Sequence, residues 1–169
     1  MPAPSFDELF GACQHSAVHL EMRDAYTPED PVFQDWQAGK RIDIRESWGE
    51  WFDLVAATTA RGVRVRRARI VSEPVTDFVR YEHELTEGLN LAAGEEVRWL
   101  PRRRASDLLL PGNDFWVFDN ARVRFGYFAG DGRYLDDEMV DDSRVVQGCA
   151  ASFDAVWERA VPHEDYRLT

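Results

Sequence analysis

Hydrophobic and polar positions follow two periods along this chain, and the switches between them mark its elements. Ser5 with Glu8 forms a capping box ahead of a helical stripe of Phe6, Leu9, Phe10 and Cys13, which predicts a short first helix. Residues 17–22 then alternate, with Val18, Leu20 and Met22 on one face of a first strand. Thr27-Pro28 reads as the opening of a short helix carrying Val32, Phe33 and Trp36, with Gly39 supplying a left-handed cap. Asp43 to Glu46 and Ser47 to Glu50 are overlapping capping boxes before the stripe Trp48, Trp51, Phe52, Val55 and Ala56, a helix that Gly62 ends.

Residues 63–71 read as a strand whose alternation slips at Arg66-Arg67, predicting a bulge or a strand end in solvent. Ser72 is read as the cap of a helix with Val75, Phe78, Val79 and Leu85 inward, and Glu96 to Leu100 as a third strand. Phe115–Phe118 and Arg122–Phe125 pair through Asp119-Asn120, residues that tolerate the positive φ of a tight hairpin, and Gly130-Asp131-Gly132 makes a second turn. Val146, Cys149, Ala150, Phe153, Val156, Trp157 and Ala160 mark an amphipathic helix stopped before Pro162. The order β-α-β-α-β-β-β-α predicts an α/β fold, a mixed sheet of about five to six strands covered by helices, in a single domain over residues 1–169.

Composition narrows the class. Of 169 residues 44% are hydrophobic and six are Trp, which argues against disorder. The longest uncharged stretch in the C-terminal half, Val145 to Phe153, falls far short of the ~20 residues that span a bilayer. Asp7 and Glu8 come early and no basic region precedes them, which argues against a signal peptide. Two cysteines make no disulfide framework, so the expected location is the cytoplasm. The net charge of −11 is unevenly spread. Residues 1–60 carry 11 acids and 4 bases, residues 61–124 carry 10 and 12, and residues 125–169 carry 10 and 4. Such a field repels phosphate at long range and counts against direct nucleic-acid binding.

Several chemistries lack their residues. There is no G-x-x-x-x-G-K-[ST] loop, no G-x-G-x-x-G opening a helix after a strand, and no G-x-S-x-G elbow. Cys13 and Cys149 sit on apolar helix faces and read as packed thiols. His15 and His19 are separated by a predicted helix end, which breaks the geometry of a zinc pair. Glu82-His83-Glu84 reads as a charged helix face, and Asp136-Asp137-Glu138 with Asp141-Asp142 as an acidic loop near a helix start, without calcium-loop spacing. No cofactor or metal is expected.

The densest basic material is Arg64, Arg66, Arg67, Arg69, Arg98, Arg102, Arg103 and Arg104. If strands 63–71 and 96–100 are neighbours, these guanidiniums gather at one end of the sheet, where Trp99 can stack. Pairing with the more numerous acids of the chain is the favoured expectation over phosphate binding.

The stretch Gly112-Asn-Asp-Phe-Trp-Val-Phe-Asp119-Asn120, followed by Gly126, resembles the H-x-K-x(4)-D-x(6)-G segment of the phospholipase D superfamily, and the surrounding elements resemble one half of that fold. Asp119 falls on the family's Asp and Gly126 on its Gly, but Gly112 stands at the nucleophilic His, Asp114 at the Lys and Tyr127 at the Ser. The resemblance therefore implies a phospholipase D-like half without its covalent phosphoryl step, and a chain that is not an enzyme. Ser5-Phe-Asp-Glu-Leu-Phe, Trp51-Phe-Asp-Leu, Arg61-Gly-Val-Arg-Val-Arg-Arg-Ala-Arg-Ile-Val-Ser-Glu-Pro, Asn113-Asp-Phe-Trp-Val-Phe-Asp, Phe153-Asp-Ala-Val-Trp and Pro162-His-Glu-Asp-Tyr also resemble an actinobacterial family with no assigned activity. Its members are commonly encoded beside Xre-type helix-turn-helix regulators.

Two functional expectations follow. The first is a non-enzymatic accessory or regulatory protein whose acidic flanks meet a protein partner, a helix-turn-helix transcriptional regulator. The second is a sensor of a small anionic metabolite, or a degenerate phosphoryl-transfer enzyme. Its ligand site is expected beyond the carboxyl ends of strands 63–71 and 96–100, at Arg102, Arg103, Asp114 and Trp116.

Overall fold

The computed structural model describes residues 3–169. Helix α1 (Phe6–Ala12) starts at the expected capping box, with Ser5 N donating to Glu8 Oε2 at 2.8 Å and Glu8 N to Ser5 Oγ at 3.2 Å. Strand β1 (Ser16–Glu21) follows. Helix α2 (Pro31–Gln37) begins later than Thr27-Pro28 suggests: Thr27 occupies a turn at φ +39°, and Asp30 caps the helix by accepting from Val32 N. Pro31 at the first helical position loses no intrahelical bond. Of the two overlapping boxes before α3 (Ile44–Ala60), Asp43 serves, accepting from Glu46 N at 3.1 Å, while Ser47 lies inside the helix.

Strand β2 (Arg64–Val71) leads to α4 (Asp77–Thr86), which continues into a π-helical turn, Glu87–Leu91. The cap of α4 is Thr76 rather than Ser72. Ser72 is held elsewhere, its N and Oγ donating to the Asp24 carboxylate at 2.7 and 2.6 Å. Strand β3 (Glu96–Pro101) and a 3-10 turn, Arg102–Ala105, precede β4 (Phe115–Phe118) and β5 (Arg122–Phe128). Asp119 and Asn120, both at φ +51°, form the expected hairpin turn. The acidic segment expected as a loop is strand β6 (Tyr134–Val140), and Asp142 caps α5 (Ser143–Arg159) before a short β7 (Val161–Pro162). Its acids stand on an edge strand, where the outward side chains meet water.

The sheet has seven strands in the order β6-β5-β4-β1-β2-β3-β7. The trio β1-β2-β3 is parallel, and the flanking pairs are antiparallel. Right-handed crossovers between strands laid down in one direction put their helices on one face, so α3 and α4 share a side. The other face is covered by α5, where Phe153, Val156 and Trp157 pack on Leu20, Ile70, Leu100, Phe115 and Val123. On the crossover side Phe10, Val55, Val65, Trp116 and Phe118 form a second core.

No bulge interrupts β2. Its register runs unbroken from Arg64 to Arg69 against β1 and from Arg66 to Val71 against β3. The apparent slip has another cause: a central parallel strand is covered on both faces, so Arg67 and Arg69 are buried toward the crossover helices while Ala68 and Ile70 are buried toward α5.

Candidate functional site

Alternation along β1 sends Val18 and Leu20 to α5 and turns His19 and Glu21 to the opposite face, beside Arg67 and Arg69 of β2. These four side chains, with Trp116 of β4, floor a cleft. Arg67 donates from Nε to Glu95 and from Nη1 to Glu21, each at 2.5 Å. Arg69 donates from Nε to Glu21 at 2.7 Å and from Nη1 to Thr86 Oγ1 at 2.8 Å. Asn90 Nδ2 completes the network with a 2.9 Å bond to Glu95. Buried charge is tolerated here because each partner is paired and hydrogen-bonded. Burial alone would raise the Glu21 carboxyl, but Arg67 and Arg69 outweigh it and hold the group well below the ordinary carboxylate range. His19 is pushed down to about 3 by burial and by Arg67, so its imidazole is neutral. It stacks on Trp116, centroids 4.2 Å apart and planes 14° from parallel.

The walls are aromatic. Tyr26, Trp48 and Trp51, Phe78 and Tyr81 enclose a chamber of about 310 Å³ above this floor. A second lobe of about 440 Å³ opens toward β4, β5 and β6, lined by Asp114, Arg124, Phe128 and Asp137, and shares His19, Glu21, Tyr26 and Trp116 with the first. Three polar atoms of the chamber are buried without a hydrogen-bond partner among the described residues: His19 Nδ1, Trp48 Nε1 and Tyr81 Oη. His19 Nδ1 lies 3.6 Å from Glu21 Oε1, beyond bonding range. Glu82 enters from α4. The only cation within 4.0 Å of its carboxyl among the described residues is Arg69, at 3.9 Å. Burial pushes Glu82 up to about 8 against the pull of Arg69, with Glu21 adding to the rise, so its carboxyl is mainly protonated at neutral pH.

The expected ligand residues divide. Asp114 and Trp116 line the cleft, whereas Arg102 and Arg103 do not. Arg102 fastens loops, donating to Ser72 Oγ at 3.0 Å and to Met22 O at 2.5 Å, and Arg103 is exposed. The cleft therefore lies on the sheet face over β1 and β2, instead of beyond the ends of β2 and β3. Asp114 accepts from Met22 N at 2.9 Å and from the Tyr26 hydroxyl, and burial raises its carboxyl to about 6. Asp119 accepts from the backbone N–H groups of Gln14, His15 and Ser16 at 2.8, 2.7 and 2.9 Å, tying the hairpin to the start of β1.

The arginine cluster disperses over both faces of the sheet. Arg64 pairs with Glu96, Arg66 and Arg98 lie over Trp157, and Arg67 and Arg69 are buried in the cleft floor. Nor is Glu82-His83-Glu84 a single charged face. Glu82 lines the chamber, His83 packs on Trp99 and His163, and Glu84 accepts from Trp36 Nε1. Among the described residues no three His, Cys, Asp or Glu side chains gather as a metal site, and no helix is long and apolar enough to cross a membrane.

A family model described as "Domain of unknown function (DUF6879)" matches residues 4–168, so the chain belongs to that family. No curated protein matches it significantly. Among solved structures, the phospholipase D family member Nuc from Salmonella typhimurium is similar over 96% of this chain and 88% of its own, at 10% identity and a TM-score of 0.54. NucT from Helicobacter pylori is similar over 93% and 87%, at 10% identity and a TM-score of 0.55. The fold is phospholipase D-like.

Proposed function

We propose that this DUF6879 member is a non-enzymatic, cytoplasmic regulatory protein that senses a small molecule in the cleft over β1 and β2. One observation carries the reading: three buried polar atoms without a well-formed bond, His19 Nδ1 and the facing pair Trp48 Nε1 and Tyr81 Oη, border one aromatic chamber. Each such atom costs ~1–3 kcal/mol while unpaired. A ligand that supplies the missing bonds recovers that cost, and a concave, mainly apolar chamber with a few polar groups is the form small-molecule sites take. Binding without turnover is supported by Gly112, Asp114 and Tyr127 at the positions of the phospholipase D His, Lys and Ser. At Asp114 a carboxylate, already engaged by Met22 N and Tyr26, stands where a phosphate-binding cation would be needed. A thermal-shift screen of metabolites tests the reading. Ligand at 100 times its dissociation constant adds ~2.7 kcal/mol, and a broad library that stabilises nothing would refute it.

A second reading concerns a macromolecular partner. The edge strand β6 exposes Asp136 and Glu138 beside Tyr134 and Leu135, which are 45% and 53% exposed. An acidic rim around apolar contacts suits the basic surface of a helix-turn-helix regulator, the partner we propose. Co-expression and size-exclusion chromatography at low salt should show co-elution. Separate elution, with no effect on operator binding, rejects this partner.

A further inference from the structure

We infer that the chamber takes a flat, uncharged nitrogen heterocycle with an amino group beside a ring nitrogen, a purine- or aminopyrimidine-like ring, whose edge pairs with the Glu82 carboxyl. This rests on the ligand-sensing reading above and narrows it to a chemical class.

Charge weighs against the alternatives. Arg67 is bound to Glu21 and Glu95, and Arg69 to Glu21 and Thr86. A phosphate or carboxylate would find Nε and Nη1 of both arginines already engaged, so the two-bond fork that favours Arg–anion pairing would require displacing a present partner. The anionic ligand expected beside Arg102 and Arg103 is therefore disfavoured at this floor. A permanent cation gains no net attraction from this floor, where Arg67 and Arg69 are balanced by Glu21 and Glu95.

Shape and hydrogen bonding supply the positive argument. Trp48, Trp51, Phe78 and Tyr81 present ring faces and edges to the chamber, surfaces suited to a planar guest. On the same wall the protonated Glu82 carboxyl offers an O–H donor and a C=O acceptor side by side. That pair is the complement of a ring nitrogen next to an exocyclic amino group, which accepts one bond and donates the other in a closed, two-bond ring. Trp48 Nε1 and Tyr81 Oη face one another in a contact too poorly aligned to satisfy both, and the Tyr81 hydroxyl keeps a proton to donate near the same edge. A neutral ring with both kinds of edge atom satisfies all three residues; a plain hydrocarbon ring satisfies none.

The test titrates the full-length protein with 2-aminopurine, following its fluorescence, with adenine as competitor and inorganic phosphate, tetramethylammonium and indole as controls. Saturable quenching is expected, reversed by adenine and not by the controls. Glu82→Gln keeps one donor and one acceptor and should bind within about threefold of the parent, whereas Glu82→Leu removes both and should weaken binding at least about tenfold. Trp48→Phe, which deletes only the indole N–H and part of the ring, should weaken it severalfold and serves if the Leu variant does not fold. Equal losses in the Gln and Leu variants would overturn the pairing, since they would mean that Glu82 acts as a charge. If 2-aminopurine and adenine fail while the metabolite screen finds another ligand, the heterocycle is wrong and ligand sensing stands. If both fail, both readings fall.

Discussion

Replacing Glu82 by Gln isolates one ionisation in the cleft wall with almost no change of shape. In the folded chain this carboxyl titrates at about 8, against an ordinary 4.5. Between those values the folded protein keeps a proton that the unfolded chain releases, so the unfolded state binds fewer protons and stability falls as pH rises. Below pH 4.5 both states are protonated, and above about 8 both are ionised, so the effect is confined to that window. Each tenfold change in proton affinity is worth 1.36 kcal/mol, which makes the full withdrawal on the order of 5 kcal/mol. Arg67 and Arg69 face Glu82 from β2, Glu21 from β1 and Asp114 from the approach to β4, and all four are present in both proteins. Asp114, raised by burial to about 6 in the parent, is common to both proteins and largely cancels in the difference. Urea unfolding of parent and variant from pH 5 to 9 reads the result directly. Glu82→Gln should gain steadily on the parent toward high pH. A difference that is flat with pH refutes the reasoning, and one that favours the parent as pH rises shows Glu82 to be ionised and paired with Arg69.

Other perturbations address the scaffold. Arg67→Leu leaves Glu21 and Glu95 buried without their shared cation and should cost about 3–5 kcal/mol in the denaturant midpoint analysis. Asp119→Ala removes the acceptor for three backbone N–H groups and puts Ala at φ +51°, and should lose about 2 kcal/mol, read as a lower Tm. Gly94→Ala places a Cβ 2.6 Å from Thr59 Oγ1 at φ +92° and should cost about 1–3 kcal/mol, whereas Gly11→Ala, with open space around it, should not destabilise α1.

What could be read from the chain was local. The stripes of α1, α3 and α5 and the hairpin at Asp119-Asn120 follow from period and turn chemistry, which operate over a few residues. The starts of α2 and α4 lie later than local chemistry suggests because Thr27 and Ser72 resemble caps, and only tertiary bonds with Asp24 and Arg102 commit Ser72 elsewhere. Strand β6 escaped because an edge strand facing water lacks the apolar alternation that marks a half-buried one. The cleft is hidden in the sequence for a related reason. His19 and Glu21 occupy the polar phase of an alternating strand, and nothing local says that two crossovers will cover that phase as well. Glu82 looked like solvent-facing charge for the same reason. Asp114 and Trp116, expected from the rule that pockets in open α/β sheets lie beyond the carboxyl ends of the strands, do line the cleft, although it opens on the sheet face.

The placement of β1 between β2 and β4 has a consequence for how the chain is made. Its parallel partner ends at Val71, but its antiparallel partner begins at Phe115, and the Asp119 clasp on Gln14, His15 and Ser16 closes only after that. During synthesis one margin of β1 stays without hydrogen-bond partners while more than forty further residues emerge. Closing that loop is entropically expensive and slows folding. Until the hairpin arrives, the nascent half-sheet offers a ready template for another strand, an aggregation hazard that ends when β4 seats against β1.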